Sequence, residues 1–195
     1  MNSCKTPNSV LHGFPFCETL YYTNEFTLYE VYSLVDMHLI NKLSDELKKH
    51  HVTIATAESC TGGLLAHTLT NISGSSEYFD QGVISYSNKA KMELLGVPEQ
   101  VLKTYGAVSK EVATAMATAI QQRASVHYGL ATTGIAGPTG GSKNKPVGLV
   151  YIGISTKETV VVKRFLFTGD RLTNKESTCT AALQLLLQMI SSKKS

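Results

Sequence analysis

Apolar residues first fall into a regular pattern at residues 38–50, where Leu39, Ile40, Leu43 and Leu47 recur at helical spacing and predict an amphipathic helix. From there the chain alternates between short β-favouring runs and helical stretches. Residues 52–57 read as a first, buried strand and residues 62–71 as the helix after it, with a tight strand-turn-helix junction between them. Residues 82–86 predict another strand, followed by helical stretches at 89–95, 99–103 and 110–123. Pro98 is placed to start the second of these, because a fixed φ and a missing N–H are tolerated in a first helical turn. Ser109 is placed to cap the third, whose Val112, Met116 and Ile120 form a core-facing stripe. Strands are expected at 126–132, 148–155 and 160–167. A long closing helix at 173–190 would turn Leu183, Leu186, Leu187 and Ile190 inward. Strands alternating with helices predict an α/β domain with helices on both faces of a sheet.

At 195 residues the chain is long enough for one well-buried domain and short for two, so one domain with a tail is expected. No apolar run reaches the roughly 20 residues that cross a bilayer, and the N-terminus lacks a basic segment followed by an apolar stretch and a cleavage site. The expectation is a soluble, cytoplasmic protein with no membrane partner. The net charge is +3, unevenly spread, because residues 1–37 hold one Lys against four acids. The mildly basic remainder suits an anionic small ligand. Its lysines are scattered among acids, which argues against the concentrated basic stripe of a nucleic-acid-binding protein. Cys4, Cys17, Cys60 and Cys179 show neither metal-ligand spacing nor a compact disulfide framework, and reduced thiols are the simplest account.

Residues 1–37 differ from the rest. They carry seven of the fifteen Phe and Tyr residues, from Phe14 to Tyr32, with few aliphatics at a steady period. They read as an N-terminal extension, either packing its aromatics on the body or arising from an upstream start codon, with Met37 as an alternative start that intact mass would test. Residues 38–192 read as the domain proper.

Four segments carry candidate chemistry. Glu58-Ser59-Cys60-Thr61-Gly62-Gly63 lies at a strand-to-helix junction, where unpaired backbone N–H groups with partial positive charge can hold a phosphate or an oxyanion. Gly62 and Gly63 lack the Cβ atoms that would block close approach. A structural role serves the same residues: Ser59 or Thr61 capping the helix, the glycines making the turn, and Cys60 a small buried thiol. Tyr86-Ser87-Asn88-Lys89-Ala90-Lys91 is a second strand end. A serine needs a base to accept its proton, and a lysine serves only when neutral. Lys89 and Lys91, two apart, point to different sides of a helix, and by spacing alone each reads equally as a surface residue. The glycine-rich run from Gly134 through Gly137 to Gly141 can present amides to a ligand or can be an ordinary connection. In Gly169-Asp170-Arg171, Asp170 can cap the last helix, while Arg171 suits either a phosphate or solvent.

Taken in order, these segments resemble the C-terminal domain family of CinA, the competence-damage-inducible protein, and its stand-alone nicotinamide-nucleotide amidases. The shared motifs are TAESCTGG at 56–63, GSS at 74–76, YSN at 86–88 with Lys91, LLGV at 94–97, GAVS at 106–109, GIAGPTGG at 134–141, KPVG at 145–148 and GDR at 169–171. Each alone is weak; their common order is specific.

The resemblance implies a three-layer α/β/α domain around a mixed sheet that converts nicotinamide mononucleotide and water to nicotinate mononucleotide and ammonia. It implies Ser59 as nucleophile, activated by Lys91 and Tyr86; the helix terminus and glycine loop read from the residues add a substrate site drawing on Thr61, Gly62, Gly63, Gly134, Gly137 and Arg171. No metal or other cofactor is expected. The expected partner is a small-molecule nucleotide, without direct nucleic-acid contact, and the expected assembly is a homo-oligomer, foremost a dimer. Two positions depart from the family pattern: Lys89, where an acid is frequent, and Lys175, where an Arg is common. Residues 1–37 do not resemble the large N-terminal domain of full-length CinA proteins, so its pyrophosphatase activity is not expected of these residues. Two other classes remain open: a nucleotide-binding regulatory module without turnover, which an extra charge at Lys89 would favour, and an accessory of competence or DNA repair.

Overall fold

The expected helix-strand alternation builds a five-stranded sheet between two helical layers. The structure, a computed structural model, describes residues 36–192. The aromatic-rich part of the N-terminal extension, residues 1–35, lies outside the described residues. The elements are α1 (Met37–Lys49), β1 (Ile54–Glu58), α2 (Leu64–Thr70), β2 (Phe79–Ile84), α3 (Asn88–Leu95), α4 (Glu99–Tyr105), α5 (Lys110–Ala124), β3 (Tyr128–Gly134), β4 (Leu149–Ser155), β5 (Val160–Leu166) and α6 (Arg171–Ser192). The sheet order is β2-β1-β3-β4-β5. Strands β2, β1 and β3 run parallel, while β4 and β5 are antiparallel additions.

The chain leaves β1 for β2 on one side and then returns to β3 on the other. Parallel crossovers are right-handed, so reversing direction places the two connections on opposite faces of the sheet. Helix α2 accordingly joins α1 and α6 on one face, and α3, α4 and α5 cover the other. The carboxyl end of β1 lies at this reversal, the position where open α/β sheets leave a crevice.

The two faces differ in texture because strand side chains alternate. Ile54, Leu130, Ile152 and Ile154 meet α1, α2 and α6, together with Leu39, Leu43, Leu47, Leu183 and Leu186. Each fully buried aliphatic side chain stabilises the fold by about 1.5–3 kcal/mol. Ala55, Ala57 and Ala131 face the other layer, with Val112, Met116 and Ile120 of α5. Helix α5 rides close to the sheet. A Cβ at Gly129 would come within 2.4 Å of the Ala117 carbonyl oxygen, and one at Gly153 within 2.7 Å of that of Ala113.

Several local expectations hold. Ser109 Oγ accepts the Val112 amide at 3.2 Å, and Asp170 Oδ1 accepts that of Thr173 at 2.8 Å. Leu183, Leu186 and Ile190 are buried, with Leu187 half-buried beside them. Pro98 is the residue before α4 rather than its first helical residue. The strand boundaries need correction. β1 and β3 each begin two residues later than expected, because Val52 and Val126 close the preceding helices instead. His51 and Ser125 take left-handed φ values of 51° and 52°. The amides of Val52 and Val126 then reach back to the carbonyls of Leu47 and Gln121 at 2.9 and 3.2 Å, a helix-ending pattern that seats an apolar residue just past the turn. β2 begins three residues earlier than expected. As an edge strand it alternates half-buried and exposed positions, which hides it from a search for apolar runs.

Candidate functional site

Ser59 follows β1 directly, at the crevice the topology creates. Its amide donates to Thr132 O of β3 at 3.0 Å, while Glu58 O accepts the amide of Ser85, just past β2, at 2.8 Å. The nucleophile candidate is therefore held between two strands. Ser87 Oγ caps α3 by accepting the Ala90 amide at 3.0 Å, and this short helix turns Lys91 inward.

Lys91 is 1% exposed, and its Nζ lies 2.8 Å from Ser59 Oγ. The amine also donates to Ser85 O at 2.7 Å and, at 3.5 Å, faces Tyr86 O. Burial pulls the lysine pKa down from 10.5 to about 8, opposed by a smaller pull from Cys60. Its neutral form has two N–H bonds for the carbonyls and one lone pair for the serine hydroxyl, the arrangement a proton acceptor needs.

Around this pair is a cavity of about 210 Å³ lined by Ser59, Cys60, Tyr86, Lys91, Ala107, Val108, Thr133, Gly134, Ala136 and Arg171. A second hollow adjoins it, sharing Ala136 and Arg171, and others lie elsewhere among the described residues; Ser59 and Lys91 line none of these. Arg171 opens α6 and spans the mouth, donating to Gly137 O at 2.8 Å and to the Tyr86 hydroxyl at 2.9 Å. Five of the expected site residues thus meet here: Ser59, Lys91, Tyr86, Gly134 and Arg171. Gly137 stands behind Arg171 as its acceptor. The phenol of Tyr86 meets Arg171 rather than the serine or the amine, so the tyrosine approaches Lys91 through its main-chain carbonyl.

Thr61, Gly62 and Gly63 do not line the cavity. Thr61 is fully buried, with Oγ1 2.7 Å from Thr132 Oγ1. Gly62 and Gly63 take left-handed φ values of 61° and 98°, which serve the turn. The amide of Gly63 is already bonded at 2.9 Å to Glu58, whose carboxylate also accepts from Leu65 at 3.1 Å and Ala66 at 2.8 Å. Neither Ser59 nor Thr61 caps α2; Glu58 does so across the turn. The start of this helix is therefore filled by the protein's own anion. The amides of Thr61 and Gly62 have no acceptor among the described residues, while that of Cys60 lies against its own thiol sulfur.

Sequence reasoning missed Glu58, Ser85 and Thr133. Glu58 was legible only as an acid ending a strand five residues before a glycine-initiated helix. Ser85 acts through its carbonyl, and Thr133 ties the cavity wall by donating to Ala107 O at 2.8 Å; neither role has a sequence signature. Lys89 is well exposed and 3.7 Å from Glu93, outside the cavity. Cys60 lines the cavity, but burial pushes its thiol up to about 12, which keeps it from acting as a thiolate.

A serine hydroxyl against a buried amine, at the carboxyl end of the first strand of a mixed α/β/α sheet, defines the class of site. The family model of the CinA C-terminal domain matches residues 36–190, and the chain belongs to that family. A competence-damage inducible protein of Caldicellulosiruptor bescii is 55% identical over 144 residues, 74% of this chain and 35% of that protein. The chain spans about a third of the length of the curated relatives it matches. Among solved structures, a competence-damaged protein (CinA) superfamily protein from Klebsiella pneumoniae superposes with a TM-score of 0.77 at 30% identity, covering 80% of this chain and 97% of that one. The competence/damage inducible protein CihA from Agrobacterium tumefaciens gives 0.76 at 38% identity, covering 77% and 93%. The three-layer α/β/α architecture with a mixed sheet agrees with these structures. Among the described residues, no helix is long and apolar enough to cross a membrane.

Proposed function

We propose that this chain is a nicotinamide-nucleotide amidohydrolase, converting nicotinamide mononucleotide and water to nicotinate mononucleotide and ammonia. The observation that carries the reading is the 2.8 Å approach of Lys91 Nζ to Ser59 Oγ inside a cavity. Neutral Lys91 takes the hydroxyl proton as Ser59 attacks the carboxamide carbon. Backbone amides of the turn that follows Ser59 would stabilise the developing oxyanion. The ammonium of Lys91 returns the proton to the departing nitrogen, which leaves as ammonia. The same amine then deprotonates a water that cleaves the acyl-serine ester and restores the hydroxyl.

Ala107, Val108 and Ala136 supply apolar wall for a pyridine ring, and Arg171 at the mouth suits the nucleotide phosphate. The extra charge that would favour a regulatory module without turnover is spent on the surface, where Lys89 faces Glu93. The test is ammonia release from nicotinamide mononucleotide. Ser59→Ala, folded as judged by circular dichroism, is expected to abolish it, and turnover at the wild-type rate would refute the assignment.

A further inference from the structure

Glu58 is 1% exposed, and its carboxylate is turned away from the cavity. Its three acceptor bonds to Gly63, Leu65 and Ala66 close a ring around residues 59–62, the turn that carries the nucleophile and the unpaired amides. The main chain of the same residue reaches the other half of the pair. Glu58 O accepts the Ser85 amide, and Ser85 O accepts Lys91 Nζ. One residue thereby links the serine turn to the seat of the amine.

We propose that Glu58 is a positioning residue for the amide hydrolysis, its carboxylate clasping the start of α2 so that Ser59 and the turn that follows it are held in register with Lys91. This rests on the function proposed above. Ser59 is fixed upstream by the sheet, through Thr132. Downstream, the turn passes through two glycines in left-handed conformation, which impose little stiffness of their own. The carboxylate supplies the missing constraint. Small displacements of reacting groups cost about 10²-fold in rate, so loosening this clasp acts on the chemical step. Substrate binding by Arg171 and the walls of the cavity involves none of the three clasped amides.

The experiment compares wild type, Glu58→Gln and Glu58→Ala in two assays. In steady-state turnover of nicotinamide mononucleotide, kcat is counted per serine labelled to completion by a fluorophosphonate, so that unfolded protein does not contribute. Glu58→Ala is expected to lower kcat about 10²-fold with KM within about threefold. Glu58→Gln, which keeps one acceptor oxygen but sets an NH2 against another amide, is expected to fall between. The second assay is the rate of Ser59 phosphonylation, read by mass and independent of any natural substrate; it is expected to drop in the same order. If Glu58→Ala does not fold, Glu58→Gln decides. A purely structural role would lower the labelled fraction and leave kcat per labelled site at the wild-type value. That result, a loss confined to KM, or equal labelling rates in all three proteins would overturn the proposal. Wild-type protein that labels at Ser59 but releases no ammonia would sink the functional reading alone, and the labelling rates would still judge Glu58.

Discussion

Replacing Lys91 with Met retains an unbranched side chain and removes the amine, so it separates the electrostatic burden of this residue from its catalytic use. Burial lowers the lysine pKa from 10.5 to about 8. Below pH 8 the folded protein therefore holds a charge that water would solvate better. The two values differ by about 2.5 pH units, which at about 1.36 kcal/mol per unit is about 3 kcal/mol. Between pH 8 and 10.5 the unfolded chain binds the proton that the folded chain has released, so wild-type stability rises with pH there by up to about 1.4 kcal/mol per unit. Lys91→Met lacks this rise. At pH 7 the variant escapes the burden but leaves Ser85 O without its donor, at a cost of about 1–3 kcal/mol, for a net change of about 0 to 2 kcal/mol in its favour. The assay is urea unfolding of both proteins at intervals from pH 7 to 10.5, with the difference taken at each pH. Subtraction cancels the cysteines, whose thiols titrate in both unfolded chains while burial holds Cys60 and Cys179 near 12 in the folded one. A difference that stays flat with pH would refute the reasoning. In turnover, wild-type kcat/KM is expected to rise about tenfold per pH unit up to about 8 and then level, as neutral Lys91 accumulates. The variant should lose about 10²–10⁴-fold.

Arg171→Ala removes the bridge between Gly137 and Tyr86, and with it a charged donor at the mouth. KM for nicotinamide mononucleotide should rise about 10–100-fold, the equivalent of one charged hydrogen bond, while the riboside lacking the phosphate should be unaffected in steady-state kinetics. Ser109→Ala deletes the α5 cap and should lower unfolding free energy by about 1 kcal/mol in urea, without changing KM. Lys89→Ala breaks an exposed ion pair and should leave both thermal midpoint and kcat/KM within experimental scatter.

How far the chain could be read depended on the range of each interaction. Helices α1, α5 and α6 were legible because their apolar stripes repeat locally. The starts of β1 and β3 were not, since Val52 and Val126 have strand-like side chains while their amides complete helix ends. The pairing of Ser59 with Lys91 came from motif order. By spacing alone each lysine reads as a surface group, and only the packing of α3 over the end of the sheet buries one and exposes the other. The Arg171–Tyr86 contact joins residues 85 apart and has no local signature. Glu58 escaped notice because its role depends on the direction in which α2 leaves the turn. The amide of Gly63 is taken by Glu58, the last residue of β1, for the same reason, and that bond has no local signature either.

The seam between α5 and the sheet has a consequence for how this protein can vary. Where Gly129 and Gly153 abut the carbonyls of Ala117 and Ala113, even a single methyl group meets main chain, which cannot rotate aside. The opposite layer, filled by Leu and Ile side chains, can exchange one branched shape for another and repack. Saturation libraries should therefore return a lopsided map, with positions 129 and 153 invariant while the aliphatic layer drifts.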